Sequence, residues 1–304
     1  MKTEINLLAE QIKRLKAEKR ALILAHYYER LEIQKLADFV GDSFELSKKA
    51  KNAPEDTIVF CGVKFMGESA KILSPEKTVL MPRPDAGCLM ADMITPNIIR
   101  KLKAEHPSAA VVCYVNSSAE CKAVSDICCT SSNAVRVVRS LKNEEIIFVP
   151  DKNLGAYVAR QVPEKKFIFS GGFCPVHKMR TEADVFAVKE EHPTAKLLAH
   201  PECEAEVLRH ADFIGSTSEI LKFAAEDGGD EFIIGTEAGV VERLADAYPE
   251  KKFYILSEEL ICTNMKKTTA EDLRDCLENM SGEIKLSPEM IKAAYAPLEK
   301  MLSV

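Results

Sequence analysis

Short, unbroken apolar runs alternate with polar stretches of helical period along the whole chain. ALILAHYYER (21–30), AVVCYVNSSA (110–119) and AKLLAHPECE (195–204) each begin as a buried strand, and Ile58–Phe60, Ile146–Val149 and Phe232–Ile234 read the same way. Runs without polar alternation belong to parallel strands covered by helices on both faces. Ahead of the first run, Ile5, Leu8, Ile12 and Leu15 fall on one face of an amphipathic helix.

The pattern repeats. Placing His26 on Tyr114 and then on His200 needs offsets of 88 and 86, and the next blocks keep them. ADFVGDSFELSKKA (37–50) meets SDICCTSSNAVRVV (125–138) and ADFIGSTSEILKFA (211–224). A third set is TIVFCGVKFMG, EIIFVPDKNLG and FIIGTEAG, and a fourth ends at Cys88, Cys174 and Cys262. Each unit reads strand, helix, short strand, helix, strand, helix, strand. Such βα repeats imply right-handed crossovers. The expected fold is α/β: three similar three-layer α/β/α domains in a pseudo-threefold arrangement around a shared centre. The expected division is an N-terminal helix (1–20), repeats over 21–105, 106–193 and 194–286, and a C-terminal helical tail (287–304). Both terminal pieces are expected on the outside.

A chain of 304 residues with 46% hydrophobic and 29% charged residues is an ordinary globular composition. Its net charge of −6 argues against nucleic-acid binding. The longest apolar run, Ala109 to Val115, is far shorter than the ~20 residues a bilayer span requires, so no membrane segment is expected. The N-terminus has no apolar signal region, which points to a cytoplasmic location where thiols stay reduced. The ten cysteines are therefore packing residues, redox groups or metal ligands.

Register separates them. Cys113, Cys128 and Cys129 stand opposite small or apolar residues of the other units, and Cys61 lies in a strand; with Cys121, Cys203 and Cys276 they read as packing residues. Only Cys88, Cys174 and Cys262 recur in all three units, each just beyond a strand end. Three thiols meeting on a threefold axis form a soft, facial ligand set suited to zinc, copper(I) or an iron–sulfur cluster. No fourth residue recurs with them, as structural zinc would want. A [4Fe-4S] cluster held by three cysteines keeps one iron open as a Lewis acid.

Ligands of parallel sheets sit beyond the carboxyl ends of the strands. There the register places His26, Tyr114 and His200, then Tyr28, Asn116 and Glu202, and at the next helix starts Ser43, Ser131 and Thr217. The hydroxyls either cap those helices or help their N-termini bind anions. Tyr28 and Glu202 are acid–base candidates, and His177 is placed to orient a ligand or substrate. His106, His192 and His210 receive no role.

The segments AHYY, GDSFELS, DAGCLMADM, YVNSSAECKA, TSSNA, FCPVH, AHPEC, GSTSEI, GTEAG and CTNMKK resemble, in order over nearly the whole chain, those of the quinolinate synthase family. The resemblance implies an enzyme of NAD biosynthesis that condenses iminoaspartate with dihydroxyacetone phosphate, giving quinolinate, phosphate and water. It implies a [4Fe-4S] cluster on Cys88, Cys174 and Cys262, substrate contacts from His26, Ser43, Tyr114, Asn116, Ser131, His200, Glu202 and Thr217, and acid–base roles for Tyr28, His200 and Glu202. The enzyme that produces iminoaspartate is a candidate partner. Glu29 stands where the family often has Gln, and Thr263 where Pro is common. The absence of any C-x-x-C predicts no dithiol switch. The rival readings are a cluster-dependent hydro-lyase acting on another hydroxy acid and a cluster-based redox sensor without catalysis.

Overall fold

The computed structural model describes the backbone of residues 2–304 and the side chains from Leu7 onward, so the Ile5 side chain lies outside it. Helix α1 (Lys2–Glu18) precedes the first unit: β1 (Ala21–His26), α2 (Leu31–Leu36), β2 (Phe39–Gly41), α3 (Ser43–Lys51), β3 (Thr57–Cys61), α4 (Lys64–Leu73) and β4 (Thr78–Leu80). Helix α5 (Pro96–Glu105) leads into β5 (Ala110–Tyr114), α6 (Ala119–Ala123), β6 (Ile127–Cys129), α7 (Ala134–Ser140), β7 (Glu145–Val149), α8 (Lys152–Gln161) and β8 (Lys166–Phe169). After α9 (Pro175–Lys178) and α10 (Glu182–Glu191) come β9 (Lys196–Ala199), α11 (Ala205–Leu208), β10 (Phe213–Ile214), α12 (Thr217–Glu226), β11 (Glu231–Gly235), α13 (Ala238–Ala247) and β12 (Lys252–Ile255). Helices α14 (Ala270–Asn279) and α15 (Pro288–Ser303) close the chain.

The strands form three separate parallel sheets ordered β2-β1-β3-β4, β6-β5-β7-β8 and β10-β9-β11-β12. Pairing follows the repeat residue for residue: Ala25 opposes Val40, Cys113 opposes Cys128 and Ala199 opposes Ile214. Both faces of the central strands are buried, which is why their sequences show no alternation. In β1, Ile23 packs in one core with Val59, while Leu22 and Leu24 pack in another with Ile58 and Phe60.

A carboxylate brace repeats at the same spacing. Asp38, Asp126 and Asp212 each accept the backbone N–H of a central-strand residue: Ile23 at 2.9 Å, Val111 at 2.8 Å and Leu197 at 2.7 Å. Lys16, Lys103 and Lys189 pair with the same three aspartates from α1, α5 and α10. The repeat thus extends one helix further upstream than the apolar pattern revealed, and α1 is the counterpart of α5 and α10.

The C-terminal segments are not outer additions. Leu273, Cys276 and Leu277 of α14 pack with Ile12, Leu15 and Ile23. The chain then meets the edge strand β4, where Ile284 donates its N–H to Val79 at 2.8 Å and Met81 donates to Gly282 at 2.9 Å. Gly282 has φ +76, and a Cβ there would lie 2.0 Å from the Met81 oxygen, so both conformation and space demand glycine. In α15, Ala294, Leu298 and Met301 are fully buried in the core shared by the first two sheets. Apolar spacing says that a helix has a buried face. It does not say which sheet covers that face.

Candidate active site

The carboxyl ends of the three central strands converge on a cavity of about 320 Å³. Every residue put forward from the register lines it: His26, Tyr28, Ser43, Cys88, Tyr114, Asn116, Ser131, Cys174, His177, His200, Glu202, Thr217 and Cys262. His106, His192 and His210 do not.

The cysteines divide by exposure as well as by register. All ten are free; Cys88, Cys174 and Cys262 are half-buried at the cavity and the other seven are buried elsewhere. Burial pushes Cys88 up to about 12, against the pull of the Ala91 and Met90 amides. Burial likewise raises Cys174 and Cys262, while amides of His177 and of Met265 and Asn264 act in the opposite direction. Left alone, three such thiols stay protonated. A bound cationic centre reverses that balance, and the amides already oriented toward sulfur then stabilise thiolates. The donor set therefore fits a thiophilic metal centre. Cys174, His177 and Glu202 also place one ligand atom each within 4.8 Å of one another.

Two buried carboxylates hold the cysteine loops. Asp151 caps α8 by accepting the N–H groups of Asn153 and Leu154, both at 2.8 Å, and its other oxygen accepts from the Cys174 N–H at 3.1 Å. Glu237 does the same 86 residues later: it accepts from Gly239 at 2.7 Å at the start of α13 and from the Cys262 N–H at 3.1 Å. The first unit has Val63 at the matching position, so Cys88 lacks this brace. Gly239 is needed for close approach, because a Cβ there would lie 2.6 Å from the Tyr27 oxygen.

The histidines at the strand ends share one arrangement. The N–H of Tyr28 donates to His26 Nδ1 at 3.1 Å, and the N–H of Glu202 donates to His200 Nδ1 at 3.3 Å. Nδ1 is therefore the acceptor, which leaves the proton on Nε2. Burial holds His26 down at about 3 and His200 at about 4, so both are neutral Nε2–H donors near neutrality. Burial pushes Glu202 up, yet its histidine neighbours and the Tyr114 hydroxyl outweigh that and hold the carboxyl well below its ordinary value. It lies 2.9 Å from His177 Nδ1. His177 Nε2 is 3.0 Å from the Thr236 hydroxyl, which is 2.7 Å from the Tyr28 hydroxyl. Cys174 Sγ lies 3.2 Å from His177 Nδ1 and is its hydrogen-bond partner, so the hydrogen-bonded chain runs from Tyr28 through Thr236 and His177 to Cys174, with the Glu202 carboxylate beside it.

Helix capping does not account for the cavity hydroxyls. Ser43 and Thr217 are the first residues of their helices, and the caps are the preceding Asp42 and Ser216, each in a capping box with Glu45 or Glu219. Near Ser131 the Asn133 side chain accepts from the Thr130 N–H at 2.8 Å. The Ser218 hydroxyl donates to Asp42 at 2.5 Å, joining the starts of α3 and α12.

A sequence model of the family described as Quinolinate synthetase A protein (NadA) matches residues 10–303. The chain belongs to that family. Quinolinate synthase 2 of Methanosarcina acetivorans is 55% identical over 99% of this chain and 97% of its own. Quinolinate synthases of Clostridium perfringens and Caldicellulosiruptor saccharolyticus are each 52% identical, over 96% and 99% of this chain and 97% and 99% of theirs. The chain is accordingly an enzyme of the quinolinate synthase type. Among solved structures, the E-1-hydroxy-2-methyl-but-2-enyl-4-diphosphate reductase of Plasmodium falciparum overlaps 91% of this chain and 83% of its own at TM-score 0.29 and 12% identity, too loosely to carry an argument.

Within this family frame, Glu29 adds no charge to the cavity. It is fully buried outside the lining, burial pushes it up to about 8, and its partner is the Thr268 hydroxyl at 3.3 Å. The sequence reading missed Asp151, Glu237 and Thr236. The two carboxylates were visible in principle, since both follow the third strand of their units at the repeat spacing. Thr236 was not, because its counterparts are Pro150 and Gly62. No helix among the described residues is long and apolar enough to cross a membrane.

Proposed function

We propose that this enzyme condenses iminoaspartate with dihydroxyacetone phosphate to quinolinate, releasing phosphate and water, in NAD biosynthesis. The supporting observation is the convergence of Cys88, Cys174 and Cys262 with the polar ring on one cavity. These cysteines would hold a [4Fe-4S] cluster with an open iron, which supplies Lewis-acid polarisation of a substrate oxygen when bound. Three units, each beginning with its own helix α1, α5 or α10, fit this centre. Free thiols throughout suit a reducing cytoplasm, and the iminoaspartate-producing enzyme is the partner we infer.

The chain's own side chains supply binding and proton movement. Asn116 Oδ1 is buried without a partner and accepts from a substrate N–H or O–H. His26 and His200 donate Nε2–H to substrate oxygens. Ser43, Ser131 and Thr217, near the starts of α3, α7 and α12, receive carboxylate or phosphate oxygens, assisted by the helix amides. Ring closure and dehydration require protons to leave carbon and nitrogen and to reach oxygen. Glu202, ionised, accepts one, and the path through His177 and Thr236 returns one to or from the Tyr28 hydroxyl. Tyr28 stays protonated because burial raises it well above its ordinary value.

Anaerobic purification with iron and sulfide counts and a visible spectrum tests the cofactor. Equal release of quinolinate and phosphate, dependent on both substrates, tests the reaction. Zinc alone, or no metal, removes the cluster. Turnover of another hydroxy acid without phosphate release favours the hydro-lyase.

A further inference from the structure

The cavity that would receive these substrates is poor in fixed positive charge. Its lining carries Asp42, Glu202, Glu237 and Glu259, and Arg180 is its one lysine or arginine among the described residues. The two strand-end histidines are neutral there. Iminoaspartate and triose phosphate bring two carboxylates and a phosphate, and Arg180 is the one permanent cation that the lining offers them.

Arg180 follows α9, six residues beyond Cys174, and is 4% exposed. Its Nη1 donates to the Ser257 hydroxyl, and its Nη2 donates to Glu259 Oε2 at 2.6 Å. Its Nε–H is buried without any partner. Nε and Nη2 form one edge of the guanidinium, the edge that binds a carboxylate or phosphate through two parallel hydrogen bonds. Glu259 fills only half of that edge, and its side chain is 77% exposed. An exposed monodentate carboxylate is a weakly held occupant. Beside it at the cavity, Met179 and Ile261 are also exposed, which marks this side as facing solvent.

We propose that Arg180 is an oxyanion receptor of the cavity: a substrate carboxylate or phosphate takes its Nε–Nη2 edge and displaces Glu259. The anionic substrate class rests on the function proposed above, whereas the anion site itself can be measured without turnover. Arg180 also joins the loop that follows Cys174 to the loop that leads into Cys262, so binding there reaches both cysteine loops.

The test uses anaerobically purified holoenzyme titrated with inorganic phosphate and, separately, with malonate, by calorimetry and as inhibitors against each substrate. Arg180→Met is expected to weaken at least one anion by about 10-fold or more, and Arg180→Lys to recover only part of this, since an ammonium lacks the fork. Glu259→Gln is expected to tighten the same anion several-fold by removing the competitor. A loss confined to phosphate assigns the edge to the triose phosphate, and one confined to malonate assigns it to iminoaspartate. Unchanged affinity for both anions in Arg180→Met and Arg180→Lys overturns the proposal and leaves Arg180 as a brace between loops. Should Arg180→Met fail to fold, unchanged anion affinity in Glu259→Gln is equally decisive. Wild-type protein that binds these anions through Arg180 but forms no quinolinate would instead sink the proposed reaction alone.

Discussion

Buried carboxyl groups in this molecule behave differently because their neighbours differ. Glu202 is ionised among histidines and a tyrosine, whereas Glu29 meets one hydroxyl and stays protonated to about pH 8. Because Glu29 is raised from 4.5 to about 8, the native state holds its proton more tightly than the unfolded chain. Its contribution is fully present below pH 4.5 and is lost as pH rises toward 8, by up to about 1.4 kcal/mol per pH unit. Glu29→Gln removes this slope, so its melting temperature relative to wild type should rise between pH 5 and pH 8; a constant difference would show that Glu29 is already ionised. For Glu202→Gln the expected outcome is retained iron and spectrum with turnover reduced by about 100-fold or more, the scale of general acid–base catalysis. Near-normal turnover in that variant would remove Glu202 as the proton acceptor.

Elements carry the site because each strand end and each helix start repeats. The apolar runs and the 88- and 86-residue offsets made the strands, the three thiols and the polar ring legible. The capping boxes Asp42-x-x-Glu45 and Ser216-x-x-Glu219 were passed over in the sequence; they cap α3 and α12, leaving Ser43 at the cavity and Thr217 to donate to the Tyr28 hydroxyl at 3.1 Å. Asp151 ties the start of α8 to the Cys174 amide, so Asp151→Ala should do two things. It should lower stability by about 1 kcal/mol through the lost cap. It should also speed loss of bound iron to a chelator by about tenfold, the usual effect of removing a group that orients a metal ligand. Asp126→Ala, which loosens β5 far from any cysteine ligand, should lower stability without that change in iron loss. Equal chelation rates in both variants would assign Asp151 to capping alone.

At the scale of the whole molecule, three sheets must be held at fixed positions for residues far apart in sequence to share one cavity. Helix α15 does part of this by burying Leu298 and Met301 in the core common to the first two sheets, and Asn133 donates to the Met301 oxygen at 3.2 Å. Leu298→Ala should therefore destabilise the protein by about 2–5 kcal/mol, read from urea unfolding, as expected for a fully buried leucine. A loss below about 1 kcal/mol would mean that the tail packs loosely.

By itself the sequence determined the strands, the threefold register and the separation of three cavity cysteines from seven packing ones, because periodicity and local spacing are properties of consecutive residues. Tertiary structure alone decided that α1 belongs to the repeat and that α14 and α15 close the core. It also decided that Glu29 is neutral, that Thr236 joins Tyr28 to His177, and that Arg180 has an unfilled edge. Each of these depends on distance and burial between residues of different units. Neither quantity is encoded in any single stretch of chain.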